Sequence, residues 1–181
     1  MTGKKLLVFS DSHGSVNALK TVFNLAKERL PPDDTICAAA CCGDGLSDLQ
    51  KAARETGFYS DWKLVCGNND YGYQTPDVII FDFADRCFFM CHGHRFGIYG
   101  DHQALLTAAK TSEADVALFG HTHVPFYQNI DGILLVNPGS VSRPRSRIGA
   151  TFSVIECIED EPPIVRFYGI GINEVIREVE I

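Results

Sequence analysis

Five short motifs carry side chains able to hold a metal ion: Asp11-Ser12-His13, Gly43-Asp44, Gly67-Asn68-Asn69-Asp70, His92-Gly93-His94 and Gly120-His121-Thr122-His123. Imidazole, carboxylate and amide oxygen suit Mn, Fe, Zn, Co or Ni, and none of these motifs offers a thiolate. A two-metal centre needs one carboxylate to bridge ions about 3.5–4 Å apart, and it supplies a nucleophile at neutral pH. Asp11 and Asp44 together do not neutralise two divalent ions, so such a site keeps positive charge that attracts phosphate. Singly, each motif has a plainer meaning. Asp-x-His is commonly a turn or a cap, His-x-His can be a hydrogen-bonding pair at a strand end, and Asn-Asn-Asp is a good turn tripeptide. Five of them in order, each after an apolar run, are hard to produce by accident.

Those apolar runs are the elements that must position the motifs. Residues 5–10, 35–42 and 62–66 are compact and apolar and read as buried strands. Between them, residues 15–30 are helical, with Val16, Leu19, Val22, Phe23, Ala26 and Leu30 on one face and Pro31-Pro32 as the stop. Residues 47–56 are helical too, with Gly57 as the C-terminal cap. A β-α-β-α-β order favours a parallel sheet with crossover helices, and open α/β sheets place ligands beyond the carboxyl ends of their strands. Further on, 78–83 and 87–91 are apolar runs joined by Ala84-Asp85-Arg86, a hairpin-like spacing. Residues 101–112 return to a helical pattern and 116–119 form a short buried strand. Residues 132–136, 151–157 and 164–168 are strands separated by turns, and these late arrivals predict a second, more antiparallel sheet. No repeat, low-complexity segment or linker divides the chain, so residues 1–181 are expected to form a single domain.

Composition bounds the partners. The 181 residues carry 16 Lys+Arg against 23 Asp+Glu, a net charge of −7, which argues against a general nucleic-acid binder because that affinity comes from Lys/Arg replacing phosphate counterions. With 45% hydrophobic residues the chain can build its own core. Lys4-Lys5 and Leu6–Phe9 start like a secretory signal, but Asp11 ends the apolar run short of the roughly 7–15 residues needed. No stretch approaches the about 20 residues of a membrane span. The seven cysteines form no C-x-x-C pair, and they read as buried free thiols in a reducing compartment. A cytoplasmic protein without membrane partners is expected. A G-x-x-x-x-G-K-[ST] loop and a G-x-S-x-G elbow are both absent, which removes the nucleotide-triphosphatase and serine-hydrolase readings.

The ordered motifs resemble the calcineurin-like metallophosphoesterase superfamily. The chain length and the run Asn137-Pro138-Gly139-Ser140-Val141-Ser142-Arg143-Pro144-Arg145 further resemble its small YfcE-like phosphodiesterase branch. The likeness spans Asp11 to Arg145. It implies a four-layer α/β/β/α sandwich of two mixed sheets flanked by helices, with a binuclear site at one end. It also implies two divalent ions, Mn foremost and Fe, Zn, Ni or Co as alternatives. The first would be held by Asp11, His13, Asp44 and His123, the second by Asp44, Asn68, His92 and His121, with Asp44 bridging. The implied reaction is hydrolysis of a small phosphodiester or related phosphoester by in-line attack of a metal-bound hydroxide. Relatives of this size often form dimers; the sequence leaves the oligomeric state open.

One residue departs from the pattern. Where the wider superfamily has a His after the ligand Asn, this chain has Asn69, which can hydrogen-bond a phosphoryl oxygen but cannot act as a general acid near neutral pH. Small YfcE-like members also often lack that His. His94 or the substrate itself is then the candidate proton source, and Asn69 and Arg143 are candidate substrate contacts. Arg143, Arg145 and Arg147 form a basic strip that is otherwise a solvated loop. His102 is expected to be structural, and Phe88, Phe89 and Phe96 belong to the core. The retromer subunit of this fold, a protein scaffold that also lacks the His, supplies the rival expectation of a catalytically weak interaction protein. Seven competent residues at the seven ligand positions weigh against it.

Overall fold

A computed structural model describes residues 3–28, 36–170 and 176–179. In chain order the elements are β1 (Lys4–Phe9), α1 (Val16–Glu28), β2 (Ile36–Cys41), α2 (Leu46–Thr56), β3 (Asp61–Leu64), β4 (Val78–Phe83) and β5 (Arg86–Cys91). They continue with α3 (Gln103–Thr111), β6 (Val116–Leu118), β7 (Pro125–Ile130), β8 (Ile133–Pro138), β9 (Ala150–Cys157), β10 (Ile164–Ile170) and β11 (Ile176–Val179). Leu30, Pro31, Pro32 and Thr35, which bore on the predicted helix stop and strand start, lie outside the described residues.

The strands form two mixed sheets, ordered β11-β10-β9-β1-β2-β3 and β4-β5-β6-β8-β7. The central strands β1, β2, β5, β6 and β8 are largely apolar without alternation because both faces are covered, as expected for sheets with helices outside. Leu6 and Val8 of β1, Phe88 and Met90 of β5, Val116 and Leu118 of β6, and Leu134 and Val136 of β8 fill the layer between the sheets. The alternate residues point outward. Leu7 and Phe9 pack on Leu19, Val22 and Phe23 of α1 and on Leu46, Leu49 and Ala52 of α2. Phe89, Cys91 and Ala117 pack on Leu105, Leu106 and Ala109 of α3. The layers therefore run helix, sheet, sheet, helix, as the resemblance implied.

The predicted parallel β1, β2 and β3 are present, and Gly57 caps α2 with φ 65°. Ala84 and Asp85, with φ 49° and 59°, form the tight turn of the β4–β5 hairpin. One expectation is corrected. The late strands do not all build the second sheet: β9 returns antiparallel to β1 with Leu7 opposite Val154, and β10 extends the first sheet beyond it. The physical cause is β1 itself, whose free edge opposite β2 is satisfied only when another strand pairs with it. The second sheet is mixed, with β5, β6 and β8 parallel. Strand β7 was not predicted. It is a largely exposed edge strand with the polar residues Gln128 and Asn129, so it carries no apolar run; its signal was Asp131-Gly132, a tight-turn pair ahead of β8.

Candidate metal centre

Each of the five motifs leaves the carboxyl end of a strand, and the two sheets bring those ends together. The backbone bends sharply there. Asp11 (φ 58°), His13 (43°), Asp44 (55°), His121 (66°) and His123 (60°) all lie in the left-handed region. Such conformations cost free energy and persist where surrounding contacts enforce them, which is a mark of functional sites. Of the remaining described non-glycine residues in that region, Ala84, Asp85, Asp131 and Asp160 belong to turns between strands, and Glu113 belongs to the turn from α3 to β6.

The ligating atoms converge in two triplets, Asp11–His13–His123 and Asp11–Asp44–His92, each with its atoms within 4.8 Å of one another. Asp11 Oδ1 lies 3.5 Å from His13 Nε2, 3.2 Å from His123 Nε2 and 3.9 Å from His92 Nε2. Asp44 Oδ2 lies 3.6 Å from His13 Nε2 and 3.4 Å from His92 Nε2. Both carboxylates thus face both sides of the cluster, and Asp44 shares its central position with Asp11. His121 stands beside His92, with ring centroids 5.0 Å apart. Asn68 is on the exposed loop after β3.

Three features fit this cluster to divalent cations. Asp11 Oδ1 and His92 Nε2 are buried and have no aligned hydrogen-bond partner, a costly arrangement unless a ligand satisfies them. The Nε2 atoms of His13 and His123 face each other at 3.1 Å, a separation that calls for a shared proton or a cation between their lone pairs. The outward nitrogens are fixed by backbone carbonyls: His92 Nδ1 is 2.6 Å from Cys42 O and His123 Nδ1 is 2.7 Å from Arg143 O. An Nδ1–H donated to a carbonyl leaves Nε2 free to ligate, as metal-bound histidines usually do.

The charges agree. Burial pushes the Asp11 carboxyl up, but the imidazoles of His123, His13 and His92 outweigh it and hold the group well below the usual carboxylate range. Burial opposes ionisation of Asp44 as well, yet His92 and Asn69 bring it down to about 2. His92 and His123, which burial alone would lower, are raised, chiefly by Asp44 and Asp11 respectively. His121 and His94 lack such close carboxylates, so burial and the charge of His92 lower both.

Several residues to which the sequence assigned no role hold the ligands in place. The buried Asp70 carboxylate accepts four backbone N–H groups: Asp44 at 2.7 Å and Gly67 at 2.9 Å on Oδ2, Gly45 and Leu46 at 2.9 Å on Oδ1. It therefore fixes the Asp44 turn to the Asn68 loop and caps α2, whose own N-cap residue is Gly45. Asp48 accepts Ser12 Oγ at 2.6 Å and the Gly14 N–H at 2.8 Å, tying the Asp11–His13 turn to α2. Ser140 Oγ donates to Asp11 O at 2.7 Å, and Asn137 Nδ2 donates to Gly120 O at 2.7 Å. The run 137–145 is thus a brace beneath the ligand turns. Gly67 is required by crowding, because a Cβ there would collide with the Asp44 carboxylate.

The catalytic candidates occupy different situations. Asn69 donates to Asp44 twice, from its backbone N–H at 2.7 Å to Oδ1 and from Nδ2 at 2.6 Å to Oδ2, so it orients a candidate ligand. His94 has its ring 5.4 Å from that of His92, with Nδ1 buried and unpartnered. Arg143 is exposed at the rim, with one guanidinium nitrogen 3.4 Å from His13 O. His102 stacks on Phe126 with centroids 4.5 Å apart, on the α3 side of the second sheet.

Residues 5–160 match the family model for the calcineurin-like phosphoesterase superfamily domain. The chain is 31% identical over 173 residues to the probable metallophosphoesterase YsnB of Bacillus subtilis, covering 94% of each. It is similar, at 27% identity and a TM-score of 0.73 over 93% of this chain and 91% of the other, to the crystal structure of a predicted phosphoesterase from Streptococcus pneumoniae. The structure of YfcE, a phosphoesterase from E. coli, shares the fold at 22% identity, with a TM-score of 0.64 over 97% of this chain and 98% of that one. Motif order, fold and family match agree: the chain belongs to the calcineurin-like phosphoesterase superfamily.

Proposed function

We propose that this protein is a metal-dependent phosphodiesterase that hydrolyses a small phosphodiester or related phosphoester. The observation that carries the reading is the pair of joined triplets, Asp11–His13–His123 and Asp11–Asp44–His92, with buried orphaned atoms at their centre. Asp11, His13, Asp44 and His123 would hold one divalent ion, and Asp44, Asn68, His92 and His121 the other. The all-oxygen-and-nitrogen donor set suits Mn, with Fe, Zn, Ni or Co as alternatives. When bound, the ions supply charge that polarises the phosphoryl oxygens and acidify a water for in-line attack. The protein's own part is positional. Asp70 and Asp48 keep the ligand turns rigid, Asn69 aims the Asp44 carboxylate, and the cationic side chain of Arg143 stands at the rim where a substrate phosphate enters.

Protonation of the leaving group is the weak step. Asn69 has no proton to give, and His94, lowered first by burial and then by His92, is mostly neutral near neutral pH. A general acid typically contributes 10²–10⁴-fold, so the enzyme should be slow on esters with poor leaving groups. This same departure favours a second reading, a catalytically weak protein that serves as an interaction scaffold. All seven cysteines are free thiols, which supports a reducing, cytoplasmic location; no helix among the described residues is long and apolar enough to cross a membrane.

The test is hydrolysis of bis-p-nitrophenyl phosphate with added Mn²⁺, Ni²⁺ or Zn²⁺, beside Asp44→Ala and His121→Ala. Metal-dependent turnover lost in both variants is expected. Activity surviving both substitutions would overturn the site assignment. A protein that binds two ions yet turns over no substrate with any metal is the scaffold.

A further inference from the structure

Tyr99 has an unusual setting. Its ring is 62% exposed and belongs to none of the core clusters, yet it is held in place. The hydroxyl donates to His121 O at 3.0 Å, and the ring lies 5.1 Å from the His121 imidazole, centroid to centroid. Arg145 donates from its guanidinium to the same Tyr99 oxygen at 2.8 Å, while its backbone N–H donates to His123 O at 3.1 Å. The two side chains therefore flank the Gly120–His123 turn, with the Tyr99 ring exposed beside the candidate ligand His121. Their interior neighbours are the candidate ligands themselves.

A fixed aromatic ring left in water beside a phosphate-attracting centre is a stacking surface. A guanidinium with one of its five N–H groups spent on a hydroxyl keeps donors in the fork that matches phosphoryl oxygens. We propose that Tyr99 and Arg145 form the substrate-recognition bracket of this site, with Tyr99 stacking on a planar aromatic ester group and Arg145 binding a phosphoryl oxygen of the same substrate. The substrate class is thereby narrowed from phosphoesters in general to esters of aryl or nucleoside-like planar groups. The inference rests on the phosphodiesterase reading for its substrate, although its test does not require turnover. A purely bracing role for the pair predicts a different outcome, because a brace has no preference among ligands.

The experiment is calorimetric binding of phenyl phosphate and methyl phosphate to the Mn²⁺-loaded protein. The parent should bind phenyl phosphate more tightly. Tyr99→Ala should remove that preference, a loss of roughly 5- to 150-fold for the phenyl ester, with little change for the methyl ester. Tyr99→Phe should keep the preference because the ring remains. Arg145→Gln should weaken both ligands alike, by about tenfold or more. No preference in the parent, or a preference that survives Tyr99→Ala, would overturn the bracket. Loss of affinity for both esters in Tyr99→Ala would show a brace and also overturn it. A phenyl preference in a protein that hydrolyses no bis-p-nitrophenyl phosphate would sustain the bracket and defeat the phosphodiesterase reading.

Discussion

Replacing Asp70 by Asn changes no volume and no candidate metal ligand, yet it should damage the metal-free protein. Each carboxylate oxygen of Asp70 accepts two backbone N–H groups at 2.7–2.9 Å, and the residue is buried. An Asn side chain presents one oxygen and one NH₂ group. Whichever way it turns, two backbone N–H groups lose their acceptor and face a donor. At about 1–3 kcal/mol for each buried unsatisfied group, the cost is about 2–6 kcal/mol. The negative charge at the N-terminus of α2 is lost as well, which adds to the penalty. For a chain of this size 1 kcal/mol shifts Tm by about 2–4 °C, so a fall of about 10 °C is expected. The assay is differential scanning calorimetry in excess chelator, where ligand loss cannot contribute. Metal titration should then show weaker binding, because the Asp44 turn is no longer pinned to the Asn68 loop. A metal-free Tm within about 2 °C of the parent would refute the reasoning, since it would mean that the two lost contacts are worth no more than about 1 kcal/mol together.

Asn69→Ala removes the 2.6 Å contact to Asp44 Oδ2 but keeps the backbone N–H to Oδ1; metal affinity should fall about tenfold while the metal-free Tm barely moves, and an unchanged titration would discount the orienting role. The pH dependence follows from His92 and His123, both raised. Their contribution to metal-free stability is complete below the ordinary His value and lost as pH rises through the raised values, whereas a metal must displace those protons. The gain in Tm on adding Mn²⁺ should therefore be larger near pH 8 than near pH 6, with affinity falling up to about tenfold per pH unit for each proton displaced; a gain that did not shrink in acid would contradict the assignment. Across aryl methyl phosphates of rising leaving-group pKa, the rate should drop steeply, and a flat dependence with chemistry rate-limiting would imply that an acid is present after all.

Much of the site was legible because metal-binding side chains are few and their order along the chain is informative. Asp11, His13, Asp44, His92 and His123 stand out from apolar surroundings and meet in the structure. The roles of Asp70 and Asp48 were not legible, because an aspartate in a turn or in the first turn of a helix looks alike whether it holds backbone N–H groups or faces water. Tyr99 was equally silent: its meaning comes from His121, 22 residues away, and Arg145, 46 residues away. Asn69 was legible as a departure, but its bonds to Asp44 depend on how two loops approach each other.

Local periodicity settled the doubly covered strands, the amphipathic helices and the turns, since each depends on residues within a few positions of one another. It could not settle which strand joins which sheet. β9 reads as any buried strand; its place beside β1 follows from an unpaired edge that exists only once β1 and β2 have paired. The sequence by itself determined which side chains could bind metal. Tertiary structure alone decided how far apart they sit, which of them are orphaned in the interior, and which neighbours hold them there, because those quantities arise from contacts between segments distant along the chain.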